Sequence, residues 1–419
     1  MTAIIIGFIL FAAAVTYSMT TDDSPYRHHT GLGESIDISP DDDQVAFSYY
    51  DDGRESIYIG NIGGGTEEIA LTEEADHTQP QFTPDGQGLM YLSRSEEGVQ
   101  TLHLLPEIGG EPIQLTSTDT HVFEAAMSPD GETVYYIAMP SEDLLAAPES
   151  TENGRDLHRV SREGDAHEKL TDKDAFDMRG LNVSADGEML HFMEEEMRSY
   201  DLKTKEEHPY VGIGRPGYIG VPTLSSDGAS LAYTAQAGES DKGTYIYELF
   251  LTDTETGEME QLTNQDASVT SPAFFNGEER LAFLVQEDWP SEPAVYEIQT
   301  ISYEGDDMAP LEVEMPETSG GVDFGAMLDK SINTATLTLL YLLTFGLAIV
   351  YAELHGRALI PVAASALLTV LVITTMFFGL DDPWRTIGMM MLSVWLLGCT
   401  GVLLVFALLY RRTVRHRRK

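Results

Sequence analysis

The side chains of this sequence that could take part in chemistry are histidines and short runs of aspartate. Eleven histidines are scattered along 419 residues, and the sequence has neither a His-Glu-x-x-His pair nor a phosphate-binding glycine loop. His28 and His29 are adjacent, so on a strand they would point in opposite directions and make a poor metal pair. Asp41–Asp43 and Asp306–Asp307 resemble Ca²⁺ ligands only in composition, because aspartate-rich turns are usually solvated. We therefore predict no catalytic residue, no metal site and no cofactor, with Ca²⁺ as the weaker alternative.

Aspartate also recurs in a regular context, in turns distributed between residues 38 and 283. Each turn lies between two apolar residues seven positions apart, and an aromatic residue follows two positions after the second. The six sets are Ile38, Val45 and Phe47; Phe82, Leu89 and Tyr91; Met127, Val134 and Tyr136; Val183, Leu190 and Phe192; Leu224, Leu231 and Tyr233; and Phe274, Leu281 and Phe283. Six identical intervals define an internal repeat.

One repeat is predicted to form four strands. The first two are joined by a tight turn, in which Pro fixes the backbone, Asp bonds its own main chain and Gly adopts positive φ. A third strand follows, as in Ser56–Ile59, and a fourth ends in Leu-Thr. These ends are Leu71-Thr72, Leu115-Thr116, Leu170-Thr171 and Leu262-Thr263. Four strands in 41 to 56 residues is the size of a propeller blade.

This pattern resembles the TolB-type, WD-like β-propeller repeat over residues 34–316, and the resemblance implies an all-β propeller of six blades. The same propeller type caps prolyl-oligopeptidase-like peptidases, whose hydrolase domain carries a Gly-x-Ser-x-Gly elbow that is absent here. Repeat four departs from the pattern, with Ala185 in place of proline and no Leu-Thr end, and repeat six has Asn276-Gly277 in place of Asp-Gly. TolB-like propellers bind protein partners, so the resemblance implies a binding or scaffold module rather than an enzyme.

The charge of the chain is strongly acidic and unevenly distributed. Residues 22–330 hold 66 of the 69 acidic residues and 16 of the 24 basic ones, a net charge of −50. Such a surface predicts a halophilic protein, because concentrated salt screens its self-repulsion; binding of cations or of a basic partner is the alternative. Nucleic acid is excluded as a partner because its phosphates would be repelled. The single cysteine, Cys399, excludes a disulfide within the chain.

Four apolar stretches predict membrane crossings, one N-terminal and three C-terminal. Residues 1–21 carry no charge and predict an uncleaved anchor, with a cleaved signal peptide as the alternative. The runs Ser331–Ala352, Ala358–Leu380 and Thr386–Tyr410 predict a three-helix bundle. The predicted segments are residues 1–21 as anchor, 22–33 as connector, 34–316 as propeller, 317–330 as linker, 331–410 as helix bundle and 411–419 as tail.

The basic tail predicts the orientation of these helices. Its charges are Arg411, Arg412, Arg415, Arg417, Arg418 and Lys419. Positively charged flanks remain in the cytoplasm, which places the propeller outside it, in a multi-pass protein of the cell membrane. The tail is predicted to act as a topology determinant, and binding to anionic lipid is the alternative.

A binding site in a propeller usually lies on one face, around the central channel. The loops predicted to enter the inner strands carry the candidate partner-binding residues His77, Gln79, His121, Phe123, Glu124, Arg179, Tyr218 and Thr270. Aromatic and arginine side chains are frequent interface anchors, so we expect Tyr218, Phe123 and Arg179 to be anchors and the histidines to form the rim. The alternative for each residue is packing between blades.

The sequence thus predicts a membrane-anchored, extracytoplasmic propeller that serves as a protein-binding or scaffold module. A second hypothesis is a sensor or accessory subunit of a membrane transport or secretion complex, whose helices dock other helices. A third is a hydrolase or lyase that uses the propeller channel. No feature of the sequence specifies an oligomeric state.

Overall fold

The apolar alternation and the Asp-Gly turns make residues 24–320 a unit built mainly of strands, whereas the rest of the chain forms helices. The computed structural model describes residues 1–21, 24–68, 75–146, 151–210, 220–240, 243–265, 267–316, 324–376 and 383–417. These fall into a β unit, Ser24–Gly320, and a helical unit composed of Met1–Asp23 and Gly321–Lys419.

Each sequence repeat contributes four described strands. Repeat one has β1 (Gly31–Ile38), β2 (Gln44–Asp51), β3 (Arg54–Asn61) and β4 (Thr66–Glu68). Repeat two has β5 (Asp76–Phe82), β6 (Leu89–Arg94), β7 (Gln100–Leu105) and β8 (Ile113–Gln114). Repeat three has β9 (Thr120–Met127), β10 (Thr133–Pro140), β11 (Asp156–Ser161) and β12 (Glu168–Lys169), with the short helix α2 (Ser141–Leu145) after β10.

The second half of the β unit follows the same plan. Repeat four has β13 (Arg179–Val183), β14 (Met189–Met193), β15 (Met197–Asp201) and β16 (Glu207–Pro209). Repeat five has β17 (Thr223–Leu224), β18 (Ser230–Glu239), β19 (Tyr245–Asp253) and β20 (Met259–Gln261). Repeat six has β21 (Ser268–Phe274), β22 (Arg280–Gln286), β23 (Tyr296–Ser302) and β24 (Ala309–Pro310).

Strands pair antiparallel in chain order within every repeat. Repeats one to four each form a separate four-stranded sheet, and repeats five and six share one eight-stranded sheet. The two halves of that larger sheet are joined by a single parallel pair, Tyr247 with Ser268.

The seven-residue interval is the register of the first hairpin in every repeat. Its two apolar members are direct cross-strand partners in all six cases: Ile38 with Val45, Phe82 with Leu89, Met127 with Val134, Val183 with Leu190, Leu224 with Leu231 and Phe274 with Leu281. The aromatic residue that follows is buried in each repeat, at no more than 3% exposure. The predicted pairing and the predicted burial of these rings are both confirmed.

Two short motifs of the repeat, the Asp-containing turn and the Leu-Thr end, accept hydrogen bonds from backbone N–H groups. In five hairpin turns a Ser or Thr hydroxyl donates to the Asp two residues later, as Ser128 does to Asp130 at 2.6 Å, and accepts the backbone N–H five residues ahead. The threonine of the Leu-Thr end accepts a backbone N–H of the third strand, as Thr116 does from Leu102 at 2.9 Å. Thr171 and Thr263 repeat this contact, whereas Leu71-Thr72 lies outside the described residues.

Contacts between successive repeats, and between the last and the first, close the β unit into a ring. On the first strands, side chains of one repeat bond the backbone of the next: Asp37 accepts the N–H of Phe82 at 2.7 Å, and the Asn182 side chain bonds Leu224 and Pro222. At the closure, the Asp42 carboxylate accepts the N–H groups of Asn276 and Gly277 at 2.7 and 2.6 Å. The sixth turn, which lacks its own aspartate, is therefore capped by the first repeat.

The helical unit contains α1 (Thr2–Thr20), α3 (Phe324–Ser331), α4 (Thr334–Glu353), α5 (Leu359–Met376) and α6 (Pro383–Arg417). Three helices are long and apolar enough to cross a membrane, namely α1, α4 and residues Thr386–Val414 of α6; the described apolar part of α5, Leu359–Thr375, is shorter. The N-terminal helix packs on the C-terminal ones, with the Phe11 ring 5.4 Å from that of Tyr341.

The helical unit differs from the sequence expectation in two places. Helix α3 begins within the predicted linker and ends at Ser331, and α6 continues unbroken to Arg417, past the predicted start of the tail at residue 411. No proline or glycine interrupts residues 402–417, so nothing in the sequence ends the helix at Tyr410. Arg418 and Lys419 lie outside the described residues.

Candidate partner-binding face

The antiparallel order gives the β unit two faces of different construction. We call the side where each first hairpin turns the turn face; it also carries the connections between third and fourth strands. The opposite side, where first and third strands begin and second strands end, we call the entry face. The connector residues Ser24–Thr30 lead directly into the start of β1 and so belong to the entry face.

The long connections of the β unit lie on the entry face. They are residues 140–156 of repeat three with α2, residues 239–245 of repeat five and residues 286–296 of repeat six. In the first two connections, residues 147–150 and 241–242 lie outside the described part. The loops of repeats five and six meet, because the Trp289 indole N–H donates to the Tyr245 carbonyl at 2.9 Å.

Among the described residues of the β unit, the exposed Phe, Tyr and Trp rings all lie on this face. The exposed large apolar side chains on the entry face are Leu145, Phe176, Val221, Tyr245, Trp289 and Val295. Phe176 is 98% exposed, so its ring contributes nothing to a core. The other exposed large apolar side chains of this unit, Ile108, Met259, Met308 and Met315, carry no aromatic ring.

The two histidines predicted on the rim of the site are buried in strands, and that part of the expectation is wrong. His77 lies in β5 with its ring 5.4 Å from the Tyr91 ring, and His121 lies in β9. The Nδ1 atom of His121 accepts the Gln100 N–H at 3.1 Å. Burial lowers the pKa of each imidazole to about 4, so both are neutral structural residues.

Two other predicted site residues connect neighbouring repeats. The Gln79 side chain donates to the Phe123 carbonyl at 3.1 Å. The Glu124 carboxylate accepts the Leu181 N–H at 3.0 Å, and desolvation raises the pKa of this carboxyl group. The contacts of Gln79 and Glu124 therefore fit the alternative given for these residues, which is packing between blades.

The predicted anchors Phe123 and Arg179 lie at the junction of repeats three and four. The Arg155 guanidinium lies 3.8 Å from the Phe123 ring centre, a cation–π contact. Arg155 also donates to the Met178 carbonyl at 3.0 Å, and Arg179 forms an ion pair with Asp177. Phe123 and Arg179 both lie in strands, not in loops.

Of the remaining two predicted site residues, the structure describes Thr270. Thr270 is half-buried in β21, opposite Leu284. Tyr218 lies outside the described residues. A partner-binding role for the whole set therefore stays a prediction.

Sequence reasoning missed a cluster that lies between repeats one and two on the entry face. Arg94 forms ion pairs with Glu55 and Asp76, each at 3.3 Å. Desolvation raises the pKa of Glu55 to about 7, although Ser48, Tyr50 and Arg94 act in the opposite direction. Spacing in the sequence does not indicate this group, because its members come from different strands and acquire meaning only once the repeats pack.

The aspartate runs considered as Ca²⁺ ligands have other partners. Asp41 accepts the Ser39 hydroxyl at 2.6 Å, Asp42 caps the sixth turn, and Asp307 forms an ion pair with Arg280 at 3.0 Å. In the part of the chain that the structure describes, no three His, Cys, Asp or Glu side chains are grouped in a way that suits a metal ion.

Comparison with known proteins identifies the fold. No protein-family model matches the sequence. The chain is 26% identical over 202 residues to the "uncharacterized peptidase YuxL" of Bacillus subtilis (strain 168). The aligned region covers 46% of this chain but only 27% of that protein. TolB from Acinetobacter baumannii superposes with a TM-score of 0.52 at 17% identity, over 66% of each chain. A putative TolB from Agrobacterium tumefaciens gives 0.48 at 18% identity, over 62% of this chain and 89% of that one. The match at a TM-score of 0.52 shows that the β unit has a TolB-like propeller fold, which by itself assigns no activity.

Proposed function

We propose that this protein is a membrane-anchored propeller of six blades that binds a protein partner on its entry face, outside the cytoplasm. The observation that supports it most is that the exposed Phe, Tyr and Trp rings of the described β unit all lie on that face. Phe176, Tyr245 and Trp289 remain in water although aromatic side chains bury a large area at little cost in rotamer entropy. Such residues are typical of interface hot spots.

The proposed blade count follows from the sequence repeat. Each of the six repeats contributes four consecutive strands, and the eight-stranded sheet divides naturally at its single parallel pair, Tyr247 with Ser268. The β unit would then consist of six four-stranded blades with no strand exchanged between them. An experimental structure with another number of blades would refute this part of the proposal.

The proposed topology has the C-terminal end of α6 in the cytoplasm and the propeller outside, because positively charged flanks are retained inside. It can be tested by labelling introduced cysteines in intact cells with a membrane-impermeant maleimide. In a Cys399→Ser background, Glu163→Cys on the turn face should be labelled. Lys419→Cys should be labelled only after the cells are permeabilised. The reverse pattern would overturn the orientation.

The binding proposal is tested by partner capture from native membranes at high salt, the condition that the acidic composition favours. Phe176→Ala should lose a protein that the unaltered chain recovers, because an exposed hot-spot ring carries about 2 kcal/mol or more of binding energy. Ile108→Ala, which removes an exposed apolar side chain from the turn face, is the matched control. Equal recovery with both variants would exclude Phe176 as an anchor.

A further inference from the structure

The N-terminal helix α1 packs against α4 from one end to the other, and the two helices run antiparallel. Residue numbers rise along α1 as those of its partners fall through α4 and into α3: Met1 with Tyr351, Phe8 with Phe345, Phe11 with Tyr341 and Tyr17 with Asp329. The ring centres of both phenylalanine pairs lie 5.4 Å apart. The Tyr17 hydroxyl donates to the Asp329 carboxylate at 2.7 Å, so apolar and polar contacts both join the helices.

The residues of α1 that the other helices cover lie along one narrow side of the helix. Between positions 4 and 14, the residues that are not fully exposed recur at intervals of three and four: Ile4, Gly7, Phe11 and Ala14. This spacing is that of a seam packed on another helix. Ile9, on the opposite side, is 61% exposed, as expected of a side chain that faces lipid. A segment that served only to be hydrophobic would not need such a seam.

Gly7 lets the backbone of α1 approach α4 closely. A Cβ atom at this position would lie 2.6 Å from the Thr344 hydroxyl oxygen and 3.4 Å from the Thr344 Cβ atom. Thr344 is itself buried, at 2% exposure. Small residues at such a point allow two membrane helices to gain van der Waals contact, which lipid does not replace equally well. The two helices are therefore complementary in shape where they meet.

We propose that α1 stays in the mature protein as a permanent member of the helical bundle, docked on α4, and is not removed as a signal peptide. Loss of α1 would uncover Thr344 and Phe345 and would remove the hydroxyl that donates to Asp329. A retained α1 gives the β unit a covalent connection to the helical unit at each of its ends. The inference rests on the proposed function only in placing these helices in a membrane.

Retention of α1 is tested first on the unaltered chain, so that no substitution can disturb folding. The protein is recovered from its native membrane through an affinity tag added after Lys419, and its intact mass is measured. We expect a mass that includes the residues of α1, Thr2–Thr20. A mature chain that begins after Thr20 would overturn the inference. That result would leave the binding face in place, because Phe176 and the capture test both concern the β unit.

Docking of α1 on α4 is tested by disulfide cross-linking of the full-length protein in native membranes, in a Cys399→Ser background. Gly7→Cys and Thr344→Cys would place two Cβ atoms 3.4 Å apart, close to the separation that a disulfide spans. Ile9→Cys with Thr344→Cys is the matched control, because Ile9 lies on the opposite side of α1.

After oxidation by copper phenanthroline in air, mass spectrometry of proteolytic fragments should find the first pair linked about tenfold more often than the control pair. Linkage of the first pair that is no greater than that of the control would overturn the docking. Partner capture that still depends on Phe176 would show in that case that the proposed binding face stands and that only the α1 inference fails.

Discussion

The two faces of the β unit are built on opposite principles. On the turn face the same arrangement of hydroxyl, carboxylate and backbone N–H recurs in five of the six hairpins. The pKa of each of these five aspartates is lowered, and the main cause is the hydrogen bond that a Ser or Thr hydroxyl donates to the carboxylate. On the entry face the loops differ in length from repeat to repeat and carry the exposed Phe, Tyr and Trp rings of the described residues.

This difference shows where the fold constrains residue choice. The backbone N–H groups of a tight turn need hydrogen-bond acceptors within the turn, and this requirement restricts which residues can occupy it. The entry loops extend from strands whose hydrogen bonds are already complete, so their side chains are free to serve binding. The periodic face therefore reports the fold, and the irregular face is the better candidate for function.

A substitution in the core shared by both faces should have the largest effect. Tyr136 is 3% exposed and stacks on His158 at 5.2 Å, so Tyr136→Ala should cost about 3–5 kcal/mol of unfolding free energy. Tyr136→Phe, which keeps the ring, is the control and should cost far less. Chemical denaturation of both variants measures this, and a small loss with Tyr136→Ala would place the ring outside the core.

On the turn face, two adjacent serines in one turn permit a matched comparison. The buried Ser225 hydroxyl donates to Asp227 at 2.7 Å and accepts the Ser230 N–H at 2.9 Å, whereas Ser226 is exposed. Ser225→Ala should destabilise the fold by about 1–2 kcal/mol because it orphans that N–H. Ser226→Ala should be nearly neutral. Equal unfolding midpoints for the two variants would contradict the capping role.

The ring closure on the turn face should show a smaller effect. Asp42→Ala removes the acceptor of two N–H groups in repeat six, at a cost of about 1 kcal/mol because the groups can turn to water. Asp43→Ala removes a neighbouring exposed carboxylate and is the control. Thermal unfolding of both variants tests this, and an equal or larger loss with Asp43→Ala would show that Asp42 does not support closure.

The last expected effect concerns the pH dependence of stability. Desolvation raises the pKa of the Asp37 carboxyl group to about 7 from an ordinary 3.8. Between those values the folded state binds more protons than the unfolded state, so this group lowers stability as pH rises through that window. Asp37→Asn should therefore gain stability relative to the unaltered chain above pH 7 but not near pH 4. A stability difference between Asp37→Asn and the unaltered chain that stays constant from pH 4 to above pH 7 would show that the pKa of Asp37 is not raised.

The fold was largely predictable from the sequence because its signals are local. Ile38 and Val45 pair across one hairpin, and Tyr136 lies two residues beyond such a pair, so a periodic pattern specifies both. Asp42 is different: its partners are 234 and 235 residues away. No local pattern can indicate a contact that exists only once the ring has closed.

The site was less predictable because its residues depend on strand ends and on packing. His77 was placed in a loop, yet β5 already begins at Asp76, a difference of one or two residues that decides between rim and core. The Tyr26 hydroxyl and the Ala294 N–H meet only when the first and last repeats join. The pattern of the repeats therefore locates the face, and the three-dimensional closure sets the contacts made on it.

Site-specific photocross-linking in native membranes tests the central claim most directly. A benzoylphenylalanine would replace Phe176 or Val295 on the entry face, or Ile108 or Glu163 on the turn face, all of them exposed positions. The account predicts that Phe176 and Val295 cross-link to the same protein and that the two turn-face positions do not. Cross-links from Ile108 or Glu163, with none from the entry face, would contradict it.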